Sequence, residues 1–261
     1  MEQLNKIRKA MEAVVLEAGK SLMDREKSSK VYKKGYADYV TEVDLYVQNI
    51  ISTRLLKEFP HIQFMGEEQD NSNPDPEKPL WILDPVDGTS NLIHDMKMSV
   101  ISLALVEQGK AVAGVIYQPY NRELFSAAKG MGAFLNGEPI SVSKPETLSA
   151  SIIALGTSPY HHELGEQTFD AAKRVFMASM DIRRSGAAAM DLAYIAAGRL
   201  DGMFELLLQP WDVAAGQILV EEAGGKVTTL QGTPLGLMEG SSVLVSNGKI
   251  HEELKRIVNN Q

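Results

Sequence analysis

The chain has 261 residues, 44% hydrophobic and 23% charged, with 26 Lys and Arg against 34 Asp and Glu, a formal net charge of -8 and no cysteine. Those values describe an ordinary globular chain, either one compact body or two closely packed halves, and they exclude disulfides, zinc–thiolate centres, iron–sulfur clusters and cysteine nucleophiles. The acidic balance argues against nucleic acid as a partner, although carboxylates that first bind a divalent metal invert the local field and then admit an anionic substrate. No apolar run reaches the roughly 18 residues of a membrane span. The first residues, MEQLNKIRKAMEAVV, lack the separate basic and apolar blocks of a secretion signal, so a cytoplasmic protein without membrane contact is expected.

Leu4, Ile7, Met11, Val14, Val15, Ala18 and Leu22 recur at helical spacing, as do Val43, Val47, Ile50, Ile51 and Leu55, which predicts two amphipathic helices, the second closed by Pro60. Lys33-Lys34-Gly35-Tyr36 between them reads as a loop or hairpin. Arg8, Lys9, Lys27 and Lys30 are interleaved with acidic residues and read as a solvated helix face. A short strand over His61–Phe64 precedes a polar, proline-rich loop, DNSNPDPEKP, at 70–79. Leu80–Leu83 then forms a strand that Pro85 is expected to break just after Asp84. Ser99–Val106, Ala111–Tyr117 and Glu123–Ala127 suggest an antiparallel meander, and Asn136-Gly137 marks a tight hairpin turn. Past that point, strands near 151–156, 201–207, 226–229 and 242–246 alternate with helices near 164–179, 187–198, 212–223 and 248–259. The pattern predicts a layered α/β body with two sheets and a change of character near residue 145, giving halves of about 1–145 and 146–261.

The chemistry concentrates in a few motifs. In Trp81-Ile82-Leu83-Asp84-Pro85-Val86-Asp87-Gly88-Thr89-Ser90, a strand end carries two carboxylates three residues apart. Hard oxygen donors on a short turn suit magnesium, and amides at Gly88 and Thr89 suit phosphate. An ordinary turn capped by Thr89 is the plain alternative. The spacing fits neither a calcium-binding EF-hand loop, which needs glycine where Thr89 stands, nor a D-x-D nucleophile, because Val86 occupies the second position. Met65-Gly66-Glu67-Glu68 matters only in company, since adjacent glutamates are usually solvated. Asp212, after Pro210-Trp211 and before an apolar helix stopped by Gly224-Gly225, reads as an N-cap that can still turn an oxygen toward a metal. No dinucleotide fingerprint, phosphate-binding P-loop, G-x-S-x-G elbow or H-E-x-x-H motif is present, and all five histidines read as surface or loop residues.

Taken in order, G-E-E, W-I-L-D-P-V-D-G-T-S-N, R-S-G-A-A-A and W-D-V-A-A-G with E-A-G-G resemble the inositol monophosphatase family over roughly residues 38–225. The resemblance implies a five-layered αβαβα sandwich, a homodimer, and magnesium-dependent hydrolysis of a small phosphate ester. It implies two to three magnesium ions per subunit, with manganese able to substitute and calcium or lithium inhibiting. Matched by motif, Glu67, Asp84 and the Val86 carbonyl would hold the first ion, Asp84, Asp87 and Asp212 the second, and a weaker third would lie near Glu67. Asp44 would pair with Thr89 to activate the attacking water, with Glu67 also available as a base and Glu68 as a supporting group. Direct in-line attack on phosphorus, without a covalent enzyme intermediate, would follow. Asp87, Gly88, Thr89, Gly186, Ala188, Glu205 and Asp212 would contact substrate, while Ala187 stands where some relatives carry threonine. The 158–163 loop would shape the pocket mouth. Inositol monophosphate is the expected substrate. NADP, fructose 1,6-bisphosphate and adenosine 3',5'-bisphosphate are alternatives within the same chemistry, and a non-catalytic metal- or phosphate-binding module is the alternative outside it.

Overall fold

The computed structural model describes residues 1–71 and 74–261. Part of the expected 70–79 loop, residues 72 and 73, lies outside the described residues. Helix α1 (Glu2–Ala18) buries Ile7, Met11, Val14, Val15 and Ala18 along one face. It tightens into a 3-10 turn over Gly19–Met23 rather than running on through Leu22, as the poor helix formers Gly19 and Ser21 favour. Arg8 is not a solvated residue: its guanidinium donates to Glu12 and Ser126 at 2.7 and 2.8 Å and lies over the Phe134 ring. Helix α2 (Arg25–Ser28) leads into a hairpin of β1 (Val31–Gly35) and β2 (Asp38–Thr41). Helix α3 (Glu42–Glu58) is started by Thr41, whose hydroxyl accepts from the Val43 amide at 3.1 Å while Asp44 Oδ2 accepts from the Thr41 amide at 2.8 Å. This reciprocal capping fixes Asp44 before any function is considered.

Strands β3 (Gln63–Gly66) and β4 (Leu80–Asp87) are parallel, and helix α4 (Thr89–Ile93) follows β4. Strands β5 (Val100–Glu107), β6 (Lys110–Gln118), β7 (Glu123–Ala128), β8 (Ala133–Leu135) and β9 (Glu138–Ile140) continue as the predicted antiparallel meander, completing a seven-stranded sheet. Asn136 and Gly137 both adopt positive φ, 52° and 85°, in the β8–β9 turn.

The remaining elements are β10 (Ile152–Leu155), α5 (Gly165–Ala178), β11 (Asp181–Arg183), α6 (Ala188–Ala196), β12 (Gly202–Leu208), α7 (Pro210–Glu222), β13 (Lys226–Thr228), β14 (Ser241–Ser246) and α8 (His251–Val258). They form a second sheet of order β11-β10-β12-β14-β13, parallel around β10 and antiparallel around β14.

Three apolar clusters show the layering. Val14, Val47 and Ile51 of α1 and α3 pack with Trp81, Leu83, Leu103 and Val115 on one face of the large sheet. The alternate residues Ile82, Ala104 and Ile116 face α6, α7 and the inner side chains Met203, Val243 and Val245 of the small sheet. Phe204 and Leu244 face Val175 of α5 and Leu254 of α8. The period of two along each strand thus yields five layers, αβαβα. Helix α7 lies so close to β6 that a β-carbon on Gly114 would come 2.6 Å from the Ala215 carbonyl oxygen.

His251 corrects the expectation that every histidine is at the surface or in a loop: it heads α8 and is 1% exposed. Thr228 Oγ1 donates to the Thr229 carbonyl and therefore accepts from His251 Nε2 at 2.9 Å, which leaves Nδ1 to accept from Ser246 Oγ at 2.9 Å. Burial, aided by Lys226, lowers its pKa to about 4. Because the folded value lies below the usual 6.5, the stability from neutral His251 is present above pH 6.5 and lost as pH falls through about 4. The stability difference between wild type and His251→Gln, read from urea midpoints, should narrow as pH falls from 7 to 4; a difference constant across that range would contradict this assignment.

Candidate active site

The site is assembled at the ends of β3, β4 and α7. Parallel pairing aligns Gly66 with Leu83, and the Glu67 amide continues the ladder to the Leu83 carbonyl at 3.1 Å, so Glu67 emerges at the edge where β4 delivers Asp84. Three residues apart on a regular strand, Asp84 and Asp87 would point to opposite faces. The strand does not end at Pro85. It carries an extra residue there, since Asp84 pairs with Ser102 but Asp87 with Val100, and this bulge turns both carboxylates to one side.

Asp212 comes from the first turn of α7, but as its third residue rather than as the N-cap. Gln209 is the N-cap, and its amide donates to Asp212 Oδ2 at 2.7 Å. The other two aspartates are anchored in the same manner: Asp84 Oδ1 accepts from the Val86 amide at 2.9 Å and Asp87 Oδ2 from the Ala189 amide at 2.6 Å. Each carboxylate is thus oriented by the backbone through one oxygen. Ligand oxygens of Asp84, Asp87 and Asp212 lie within 4.8 Å of one another.

This concentration of like charge away from water is unfavourable for the ionised forms. Burial raises the pKa of Asp87 to about 8, with Asp191, Glu67 and Glu205 adding and the Ala189 amide opposing. Burial also raises Glu67 to about 8 against the attraction of Lys34. Asp84 is pushed well above the carboxylate range by burial and then by Glu67, Asp87 and Asp212, and Asp212 by burial and then Asp87. An all-oxygen donor set of this kind, short of cations, fits magnesium.

Beside the cluster, Thr89 Oγ1 lies 3.0 Å from both Asp44 Oδ1 and the Val86 carbonyl. Gly88 supplies the left-handed turn into α4, at φ 86°. The expected Asp44–Thr89 pair therefore exists, although the two residues are 45 positions apart.

A cavity of about 590 Å³ opens from the cluster and is lined by Glu67, Asp84, Asp87, Thr89, Glu205 and Asp212, with Gly186 and Ala188 also on its wall. Glu205 Oε1 accepts from the Ser158 amide at 2.8 Å, and burial raises its pKa to about 7. Gly156 packs so tightly on it that a β-carbon there would lie 1.7 Å from Glu205 Oε2.

Four features were not foreseen. Asp191 is buried on the cavity wall, its pKa raised to about 7 by burial. Arg184 donates to Thr157 Oγ1 at 2.9 Å on the same wall. Asn91 ties α4 to the 185–187 turn through the Ser185 carbonyl at 3.0 Å. Lys34 pairs with Glu67 and Glu68. Asp191 was legible in principle as a lone carboxylate on an otherwise apolar helix; the other three depend on contacts between distant segments.

The layered fold places an all-oxygen carboxylate set suited to a divalent cation beside a cavity, the arrangement that a metal-assisted phosphatase needs. The chain belongs to the inositol monophosphatase family, whose model matches residues 3–261. An inositol-1-monophosphatase from Rhizobium meliloti is 37% identical over 251 residues, covering 95% of this chain and 94% of that protein. A Nus factor SuhB from Xylella fastidiosa is 36% identical over 236 residues, covering 87% and 84%. Among solved structures, the Bartonella henselae extragenic suppressor protein suhB superposes with a TM-score of 0.91 at 38% identity, covering 97% of this chain and 98% of that one. An IMPase/NADP phosphatase complexed with Mg2+ and phosphate gives 0.89 at 28%, covering 99% and 97%. A staphylococcal inositol monophosphatase-1 in a lithium-soaked inhibitory complex gives 0.86 at 28%, covering 99% and 95%. The chain is accordingly a phosphatase for small phosphate esters, from a magnesium-dependent family. Among the described residues no helix is long and apolar enough to cross a membrane.

The raised carboxylate pKa values set the pH dependence of the metal-free protein. Between the usual carboxylate values near 4 and the folded values of about 8, the folded state holds protons that the unfolded chain has released. Stability is therefore greatest at low pH within this window and falls as pH rises, by about 1.4 kcal/mol per unit for each such proton. Melting temperatures in chelator should decline from pH 5 to 8, and Asp87→Asn, which keeps an acceptor for the Ala189 amide, should flatten that decline. The same substitution should lower phosphate release roughly a hundredfold or more while circular dichroism is unchanged. Retained turnover would remove Asp87 from the expected metal ligands.

Proposed function

We propose that this phosphatase hydrolyses inositol monophosphate to inositol and phosphate in the cytoplasm, with two to three magnesium ions held by Glu67, Asp84, the Val86 carbonyl, Asp87 and Asp212. The observation that carries the reading is the convergence of Asp84, Asp87 and Asp212 within 4.8 Å beside a cavity of about 590 Å³. In this reading the half before about residue 145 contributes Asp44, Glu67, Asp84, Asp87 and Thr89, and the half from 146 onward contributes Glu205 and Asp212.

Bound magnesium supplies Lewis-acid polarisation of the phosphoryl oxygens and lowers the pKa of water at the site. The protein side of the reaction rests on Thr89 and Asp44. The Thr89 hydroxyl takes a proton from the attacking water while passing its own to Asp44 Oδ1, 3.0 Å away. Donation to Asp44 frees the Val86 carbonyl for a cation. Asp44 is suited to receive the proton because burial raises its pKa, while its other oxygen remains fixed by the Thr41 amide. The oxygen of the deprotonated water bonds to phosphorus in line, the ester P–O bond breaks, and the departing alkoxide is protonated from solvent. Gly88 and Thr89 amides orient the phosphate. At the polyol end, Glu205 accepts a hydroxyl hydrogen bond, Gly186 and Ala188 shape the wall, and Ala187 leaves out one hydroxyl contact.

One observation favours a broader substrate range. Arg184 is exposed on the cavity wall and braced by Thr157, where a second anionic group on NADP or a bisphosphate would meet a guanidinium fork. A homodimer is supported by the outer face of α5 and its following turn, where Phe169, Phe176, Met177 and Met180 are 51–76% exposed.

Magnesium-dependent phosphate release should be fastest from inositol 1-phosphate in a panel with fructose 1,6-bisphosphate, adenosine 3',5'-bisphosphate and NADP, and lithium should inhibit it. Preference for another member would overturn the substrate while leaving the chemistry; no release from any would overturn the enzyme reading. Thr89→Ala should reduce kcat by 10²–10⁴-fold, whereas Glu205→Gln should act mainly through KM. The reverse pattern would exchange the two assignments.

A further inference from the structure

Asp191 is a buried carboxylate that the reaction leaves unused. It is the one charged residue on α6, which is otherwise built of Ala, Met, Leu, Tyr and Ile, and it is 4% exposed. Its amide bonds the Ala187 carbonyl at 3.2 Å, so it stands one helical turn beyond Ala187, and helical side chains lean back over the preceding turn. There it lines the same cavity as Gly186, Ala188 and Glu205. Asp84, Asp87, Asp212 and Glu205 each have one carboxylate oxygen held by a backbone amide, at 2.9, 2.6, 2.7 and 2.8 Å. Among the described residues no backbone amide donates to the Asp191 carboxylate. The donor beside it is the Ser185 hydroxyl, whose single hydrogen also has the Ala187 carbonyl within reach at 3.0 Å. A carboxylate offers about four acceptor positions, so Asp191 keeps acceptor capacity for a ligand in the cavity.

The charge of Glu205 disfavours ionisation of Asp191, while Arg184 on the same wall favours ionisation of both. Two carboxylates therefore share one stretch of wall, with no hydrogen bond between them among the described residues. A polyol presents neighbouring hydroxyls, and each can donate to a different carboxylate. We propose that Asp191 is a second polyol-binding carboxylate, accepting a hydrogen bond from the substrate hydroxyl next to the one that Glu205 takes. This rests on the polyol-phosphate reading above. Asp191 supplies a charged acceptor on the segment where Ala187 offers no side-chain hydroxyl, and it selects substrates that carry two neighbouring hydroxyls. A buried acceptor rejects an analogue without the matching hydroxyl, because the acceptor is then left unpaired and out of water.

The experiment compares magnesium-dependent phosphate release from inositol 1-phosphate and from cyclohexyl phosphate, a ring of the same size without hydroxyls, for the wild type, Asp191→Ala, Asp191→Asn and Glu205→Gln. In Asp191→Ala the ratio of kcat/KM for inositol 1-phosphate to that for cyclohexyl phosphate should fall about tenfold or more, mainly through KM, with cyclohexyl phosphate changed less than about threefold. Asp191→Asn keeps one acceptor oxygen and should fall between alanine and the wild type; where alanine unfolds the chain, a ratio lowered about threefold or more in the asparagine variant decides the matter in its place. Equal losses on both substrates would mean that Asp191 only braces the 185–187 turn or acts through the charge of Asp87, and would overturn the proposal, as would an unchanged ratio. A wild-type preference for inositol 1-phosphate that Glu205→Gln lowers and Asp191→Ala leaves intact removes Asp191 and keeps the polyol reading. A wild type without that preference overturns the polyol reading, and the proposal with it.

Discussion

Everything at this site follows from holding Asp84, Asp87 and Asp212 around a shared point that the layers shield from water, with Glu67 beside them. Such an arrangement opposes folding unless each group is either protonated or compensated by cations. The protein compensates in part with its backbone: amides of Val86, Ala189 and Gln209 each donate to one aspartate and leave its other oxygen for a ligand. Lys34 supplies a compensating side-chain charge from the rim, through Glu67 and Glu68. In the proposed reading divalent cations complete the balance, and the electrostatic deficit of the carboxylate cluster is the driving force for binding them.

The layers make that arrangement geometrically possible. Three of the four donors come from β3 and β4, whose parallel pairing and single bulge bring Glu67, Asp84 and Asp87 to one edge. The fourth comes from the middle layer, where α7 lies close enough to β6 to exclude a β-carbon at Gly114. Asp87 also joins the large sheet to α6 through the Ala189 amide. The carboxylate cluster is therefore a structural junction between the large sheet and the middle layer, and the cavity wall carried by β12 and the 156–158 turn adjoins it.

Much of this was legible in the linear pattern. Helical spacing identified α1 and α3, alternation identified the meander from β5 to β7, spacing paired Asp84 with Asp87, and the family resemblance added Asp212 to them. The misreadings share a cause. Pro85 looked like a strand stop because it lacks an amide, yet pairing with β5 absorbed it as a bulge. Asp212 looked like an N-cap because local pattern does not distinguish the cap from the third helical residue when Gln209 also qualifies. His251 looked peripheral because its two hydroxyl partners, Thr228 and Ser246, belong to other strands. Arg184, Asn91 and Lys34 acquire their partners only across the fold.

By itself the sequence determined the donor chemistry, an all-oxygen set with no thiolate, together with the local turns and caps that orient individual carboxylates such as Asp44 and Asp84. Those properties depend on residues a few positions apart and survive in any context that preserves the local backbone. Only the tertiary structure decided which carboxylates share a field, how far burial lifts them from their ordinary ionisation, that Thr89 meets Asp44, and that Lys34 faces Glu67. Distance and solvent exclusion set those electrostatic quantities, and both arise when the five layers close on one another.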